Sequence, residues 1–365
     1  MKNKSKVTVS DLSELTGVSR ATISRVLNNN SGVNDEIRKK VLQAVEKTGY
    51  KRNNSVHKAD KDSLPFSKIT ILVNDHTLLT SNNFYYPIID KLNKKAQEFN
   101  LTLNFHINTN VGVTESLDEI LNDSESIILV GSDKEDILDA IHKRSLPCVL
   151  LNGVDPLMRF SSVVPDNELA SFLVTDYLIK KGHRKIKMLT ANMKNSTFER
   201  TEGFMRALRM HNIEFDYKTN IIDLVKIAKK VDPQRNFILD IEQGRAGYDF
   251  GTSLYVDYLI ENHYFDDCTA VFCLCDTSAI SLLSKLNEHK IKVPEEISLI
   301  AIDDINISAM MNPALTTANI DRGLLASIAL DILFKTAKGE ILKPLRICQS
   351  VDLVERESVL DLNEK

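Results

Sequence analysis

Two groups of residues in this 365-residue chain have types and spacing that could do chemistry. The first is the run GVSRATISRVLN (17–28), which sets Arg20 and Arg25 among hydroxyls and one small apolar residue within about three helical turns. Arginine can offer two donors to a guanine edge, Ala21 can touch a thymine methyl, and the hydroxyls of Thr8, Ser19, Thr22 and Ser24 suit phosphate oxygens. The second group falls where short apolar runs end: Asn74 and Asp75, Asn152, Asp276, and the pair Asp303-Asp304, with Arg200 on an amphipathic stretch. Ligands of open parallel sheets bind beyond the carboxyl ends of the strands, so polar residues there are candidate binders. The same residues also cap helices and fill turns. No GxGxxG, Walker or HExxH motif occurs, and no nucleophile, base and orienting acid form a recognisable pattern, so an enzyme has little support and no catalytic residue, cofactor or metal site is assigned.

The first group needs helices to present it, and residues 7–49 supply three. Thr8 can cap the first, with Asp11 as box partner and Leu12 and Leu15 as its apolar face. Gly17 ends it, Ser19 caps the second, and the third runs from Asn34 to Gly49 with Ile37, Val41, Leu42 and Val45 inward. Two helices joined by a tight Gly-containing turn form a helix-turn-helix, whose second helix enters the major groove. On that helix Arg20, Ala21, Ser24 and Arg25 share the outer face, while Ile23, Val26 and Leu27 face inward.

Charge agrees. Residues 1–61 carry 13 Lys and Arg against 6 Asp and Glu, a balance of +7, whereas the remainder carries 33 against 44, a balance of −11. The net charge of −4 hides a basic head on an acidic body, as in a nucleic-acid-binding module joined to another domain.

The second group needs strands. Apolar runs at 68–73, 101–107, 126–131, 147–152, 185–190, 236–241, 270–275 and 298–303 alternate with helical periodicity at 86–99, 134–145, 168–181, 199–212, 246–262 and 276–290. Such alternation predicts an α/β fold with parallel sheets, and eight or more units predict two subdomains. A last amphipathic helix, RGLLASIALDILFKTAKGE, precedes one more strand and a charged tail, without the Leu heptads of a tetramerising helix. No run reaches the roughly 20 apolar residues of a membrane span, and Asp11 and Glu14 interrupt any signal-peptide core, so a cytoplasmic protein with no membrane partner is expected. Its five cysteines read as buried reduced thiols; Cys273 and Cys275 share a strand face but lack the further ligands of a metal site.

Thr8 to Tyr50 resembles the DNA-binding headpiece of the lactose-repressor (LacI/GalR) family of bacterial transcription regulators. The stretches DNELASFLVTDYLIKKGHRKI (166–186), ERTEGFMRAL (199–208), TAVFCLCDTSAISLL (269–283) and VPEEISLIAIDDINISAMMNPALTTANID (293–321) resemble that family's two-lobed periplasmic-binding-protein-like effector domain. The resemblance implies a headpiece at 1–52, a hinge and linker at 53–67, and an effector-binding and dimerisation domain at 68–365. In that domain an N-lobe is expected at about 68–162 and 294–319 and a C-lobe at about 163–293 and 320–365. It makes Arg20, Ala21 and Arg25 base readers and puts Thr8, Ser19, Thr22, Ser24, Asn28 and Asn34 on phosphates. Asn53 and Val56 would belong to a hinge helix; Ala59 stands where the family has a wedging Leu, so either Val56 takes that part or DNA bending is weaker.

For the effector the resemblance points to Arg200, to Asp303 as a hydroxyl acceptor, and to Asp276, where Cys275 replaces the family's Asn. Phe84 and Tyr85 match an aromatic segment after the first strand, with Tyr86, Phe160 and Tyr248 as other aromatic candidates and His183 at a family-typical turn. A sugar or sugar phosphate is the implied effector, with a purine as an open alternative, and operator DNA and a second copy in a homodimer are the implied partners. A repressor of sugar-utilisation genes is therefore expected. A global regulator using a phosphocarrier protein as corepressor is the main rival, and a free sugar-binding protein or a sugar-processing enzyme fits less well.

The helix-turn-helix reading predicts that Arg20→Ala combined with Arg25→Ala weakens operator binding at least about thirty-fold in a band-shift titration, since each base-reading pair contributes about 1–3 kcal/mol. Unchanged affinity would overturn the assignment.

Overall fold

Leu12, Ile23, Val26, Val41 and Ala44 bury themselves against one another in the first of two units, Met1–Ser63; the second is Leu64–Lys365. The computed structural model describes residues 9–19, 22, 23, 26, 34–48, 64–73, 84–107, 116–242 and 244–364. In the first unit α1 (Val9–Thr16) and α2 (Asp35–Thr48) carry this core. Gly17 ends α1 at φ +65° with its N–H on the Ser13 carbonyl. Ser19 accepts from the Thr22 N–H at 3.2 Å, and Asn34 from the Glu36 N–H at 2.8 Å, so both act as the caps their residue types suggest. Leu15 and Leu42 do not join the core as the periodicity suggested: both are at least half exposed. The expected contact residues Thr8, Arg20, Ala21, Ser24, Arg25, Asn28, Asn53, Val56 and Asp75 lie outside the described residues.

The second unit is built on two six-stranded sheets. The first holds β1 (Lys68–Val73), β2 (Thr102–Ile107), β3 (Ile127–Val130), β4 (Cys148–Leu151), β5 (Ser161–Pro165) and β11 (Arg346–Gln349), in the order β11-β5-β4-β3-β1-β2 and parallel throughout. The other holds β6 (Ile186–Thr190), β7 (Ile221–Asp223), β8 (Ala270–Cys273), β9 (Ser298–Asp303), β10 (Thr316–Asn319) and β12 (Asp352–Val354), in the order β12-β10-β9-β8-β6-β7, with only β12 antiparallel. The helices between them are α3 (Tyr86–Phe99), α4 (Leu117–Asn122), α5 (Glu135–Lys143), α6 (Asn167–Lys180), α7 (Asn195–Met210), α8 (Tyr217–Asn220), α9 (Leu224–Val231), α10 (Phe237–Glu242), α11 (Thr252–Glu261), α12 (Asp276–Glu288) and α13 (Arg322–Ala337). The central strands are buried along their whole length, as parallel strands covered on both faces must be.

The expected division of the lobes needs correction. Segment 294–319 belongs to the second lobe, because β9 pairs with β8 and β10 with β9, while α13 and β11 return the chain to the first lobe beside β4 and β5. Consecutive strands of a βαβ unit lie side by side, and β8-α12-β9 obeys that rule. The chain thus crosses between lobes three times, at Pro165–Asn167, Asn319–Arg322 and Gln349–Asp352. Each of the first two crossings ends in a helix capped by an aspartate: Asp166 accepts from the Leu169 N–H at 2.9 Å and Asp321 from the Leu324 N–H at 2.8 Å. Gln349 ties all three, its carbonyl accepting from the Asp166 N–H at 2.8 Å and its amide donating to the Asp321 carbonyl at 3.1 Å.

Two further expectations differ. Segment 236–241 is helical as α10, because the Asn236 side chain accepts from the Leu239 N–H, and short β7 takes the sheet edge instead. The final segment makes two strands, β11 and β12, one in each sheet. Four cysteines are buried, as expected, but Cys348 on β11 is exposed. Among the described residues no helix is long and apolar enough to cross a membrane.

Helices α6 and α7 pack closely where Gly203 faces α6; a Cβ there would overlap the Glu168 carbonyl oxygen. Gly203→Ala is expected to destabilise the chain by about 1–3 kcal/mol, read as a lowered denaturation midpoint.

Candidate effector cleft between the lobes

The carboxyl ends of β3, β4, β6, β8 and β9 converge on a cleft of about 630 Å³ between the lobes. The first lobe contributes Phe84, Tyr85, Gly131 to Lys134 and Asn152; the second contributes Lys194, Arg200, Cys275 and Asp303 on the floor, with a side wall from the 241–253 segment and α12. Gly131 takes φ +66° and lets the Tyr85 hydroxyl come close; a Cβ would sit 2.6 Å from it. That hydroxyl accepts from the Asn152 amide at 2.6 Å, and Asn152 itself takes φ +55°, a left-handed conformation asparagine tolerates better than most residues.

Arg200 is the centre of the floor. Its Nε donates to Asn167 Oδ1 at 3.1 Å, one terminal nitrogen donates to the Leu274 carbonyl, and the other lies 3.4 Å from Asp303 Oδ1. Asp303 and Asp304 both have positive φ, 132° and 52°, so β9 ends in a strained turn of the sort that collects at binding sites. The turn aims the two carboxylates apart. Asp303 faces the cleft, while Asp304 pairs with Arg356 at 2.5 Å and accepts from Asn319 at 2.8 Å. Burial raises the Asp303 pKa, opposed by Arg200 and Arg322. Burial lowers the Lys194 pKa, and Arg200 adds to the lowering; its Nζ lies 5.0 Å from the Phe250 ring centroid.

Of the expected effector residues, Phe84, Tyr85, Asn152, Arg200 and Asp303 line the cleft. Asp276 does not. It has no exposed surface, and its carboxylate is used up by Thr317 at one oxygen and by the Ile305 N–H and Ser308 hydroxyl at the other, at 2.5–3.0 Å. It caps no helix either; its carboxylate pins the β9–β10 connection from below. Tyr248 lines the cleft, whereas Phe160 packs in the first lobe against His142 and Tyr86 is exposed at the start of α3. His183 is buried with Nδ1 on Thr269 and Nε2 on the Leu360 carbonyl, so both ring nitrogens are occupied away from the cleft. Lys194, four residues after β6, lines the cleft too, and its polar sequence context carries no mark of a binding residue.

Residues 8–53 match the model of bacterial regulatory proteins of the lacI family, 67–223 the periplasmic binding proteins and sugar-binding domain of that family, and 175–359 the periplasmic binding protein-like domain. The chain belongs to the lacI family of bacterial regulators. It is 27% identical to the HTH-type transcriptional repressor PurR of Vibrio atlanticus over 98% of this chain and 99% of that one. It is likewise 27% identical to the PurR of Photobacterium profundum, at the same coverage of both chains. Among solved structures it shares its fold with the transcriptional regulator CelR–cellobiose complex (TM-score 0.65, 22% identity, 96% and 99% of the two chains). A lac repressor dimer bound to operator and the anti-inducer ONPF is similar too (TM-score 0.61, 20% identity, 98% and 100%).

Burial and the neighbouring Asp303 raise the Asp276 pKa to about 7, against three stabilising hydrogen bonds. A carboxyl that holds its proton more tightly folded than unfolded favours folding below its unfolded value near 4, and that contribution is lost as pH rises towards the folded value. Asp276→Asn keeps an acceptor for Ile305 and Ser308 and a donor for Thr317. Its melting temperature relative to the parent chain is therefore expected to climb between about pH 4 and pH 7 and then level off. A pH-independent difference would contradict the buried-charge account.

Proposed function

We propose that this chain is a dimeric, sequence-specific transcription repressor whose operator affinity is set by a sugar-type effector in the interlobe cleft. One observation carries the reading: a lacI-type DNA-binding segment and a strand-end cleft with a buried Arg200–Asp303 pair lie in one chain. A carboxylate, a guanidinium and an amide around a floor of this kind can bracket vicinal hydroxyls, and the Phe84 ring offers an apolar face. The headpiece residues Arg20, Ala21 and Arg25 would read bases, and Ser19, Thr22 and Asn34 would fix register on phosphates. Two headpieces are needed to read a pseudo-palindrome, which calls for a dimer. No chemical step is assigned to the cleft.

The effector acts only through its different affinity for two lobe arrangements. Arg200 bonds Asn167 at the first crossing, and Arg322 at the second donates to the Asp304 carbonyl at 2.8 Å. A ligand on Asp303 and Arg200 therefore pulls on two crossings at once.

Asp303→Asn, an isosteric change, should leave ligand-free operator affinity within about two-fold and weaken the effector's shift of that affinity at least ten-fold. Fluorescence anisotropy on an operator chosen from random duplexes measures both. A full effector response in the variant would remove the cleft from the mechanism.

A further inference from the structure

Arg322 stands where helix electrostatics disfavour it. It is the first residue of α13, directly after the cap Asp321, so its cation lies at the positive end of the helix, where acidic side chains are the stabilising kind. Among the described residues it forms no ion pair, and Asp321 gives one carboxylate oxygen to the Leu324 N–H. Its side chain reaches instead towards two walls of the cleft.

One terminal nitrogen of the guanidinium donates to the Asp304 carbonyl at 2.8 Å, and the group lies 5.9 Å from the centroid of the Phe84 ring, within reach of a cation–π contact. These partners belong to different lobes. Helix α13 packs on α3, β4 and β5 of the first lobe, and Phe84 comes just before α3, whereas Asp304 follows β9 of the second. Arg322 does not line the cleft, but both partners lead into it. Phe84 is part of the cleft wall and meets Tyr85 edge to face at 5.1 Å, and the Tyr85 hydroxyl in turn accepts from Asn152. Asp304 is the second residue of the positive-φ turn whose first residue, Asp303, faces the cleft. A third effect is electrostatic: burial disfavours the Asp303 carboxylate, and Arg200, then Arg322, then Lys194 oppose it. The other ionisable groups around Asp303 are Asp276 beneath it, Cys275, the adjacent Asp304 paired with Arg356, and Asp133 on the first-lobe side of the cleft.

We propose that Arg322 is a positioning residue of the effector site: it holds the Phe84 ring and the Asp303 turn at a set separation across the cleft without touching the effector. A planar guanidinium can lie against the ring and still donate to the turn, which the compact ammonium of lysine cannot do at once. A hydroxyl-bearing ring packed on Phe84 then meets its acceptor, and the charge of that acceptor is maintained. The inference rests on the cleft being the effector site.

The probe is whichever of glucose, galactose, ribose and cellobiose most raises the melting temperature of the full-length chain. Isothermal titration with that sugar then compares the parent, Arg322→Met and Arg322→Lys between about pH 5 and pH 8. Arg322→Met should bind at least about ten-fold more weakly near pH 7, and its binding should fall off at higher pH than in the parent, because Asp303 without its neighbouring cation takes up a proton sooner as pH drops. Arg322→Lys keeps the charge, so it should keep the parent's pH profile yet bind at least about three-fold more weakly, and this loss should shrink below about two-fold in a Phe84→Leu background. A merely structural arginine would change the melting temperature and leave the pH profile of binding where it was. An unmoved profile in Arg322→Met, or an equal Arg322→Lys loss with and without the Phe84 ring, overturns the positioning role and leaves the effector site standing. If Arg322→Met does not fold, the comparison of Arg322→Lys in the two backgrounds decides. No rise in melting temperature with any of the four sugars overturns the sugar reading and the inference with it.

Discussion

Three chain crossings between two parallel sheets are the constraint on which the rest of the second unit depends. A cleft whose walls are joined by one strand could open freely; here three segments run side by side, and Gln349 links them through its backbone and its side chain. Gln349 is 7% exposed, and its second amide atom, Oε1, is buried without a partner, so the junction is a place where polar satisfaction is incomplete. Groups of that kind cost free energy in one arrangement and favour another that pairs them. The crossings are where two lobe arrangements of similar stability would differ.

Electrostatics at the floor join the cleft to those crossings. Arg200 sits between Asp303 and Asn167, and Asp304 joins Arg322 and Arg356, so each residue of the strained β9 turn touches a different part of the junction. Asp276 beneath them sets a limit on charge. Two carboxylates this deeply buried cannot both ionise cheaply, and one guanidinium stabilises the nearer of them. A hydroxyl-bearing ligand on Asp303 would replace lost solvation.

Much of this was legible in the sequence. Runs such as KITILV and SLIAID declared buried parallel strands, and Ser19 declared its cap. The lobe expected for 294–319 came from the family resemblance, and strand pairing overrides it: β9 follows β8 and α12 in one βαβ unit and so lies beside β8 in the second sheet. Segment 236–241 reads apolar in either period, and the Asn236 cap decided for helix. Asp276 was misread because a strand-end aspartate looks the same from the sequence whether it faces a ligand or pins a loop; its partners, Ser308 and Thr317, are about 30 and 40 residues away. Lys194 escaped because a lone lysine in a polar turn gives no signal until folding sets it between Phe250 and Arg200.

The central claim is that one molecule couples the cleft to the DNA. Thermodynamic linkage requires a reciprocal effect: if effector changes operator affinity by some factor, operator changes effector affinity by the same factor. Both dissociation constants should be measured in the full-length chain, each with and without saturating amounts of the other ligand. A shared factor of at least about five is predicted. Operator affinity that is the same with the cleft filled and empty would contradict the account.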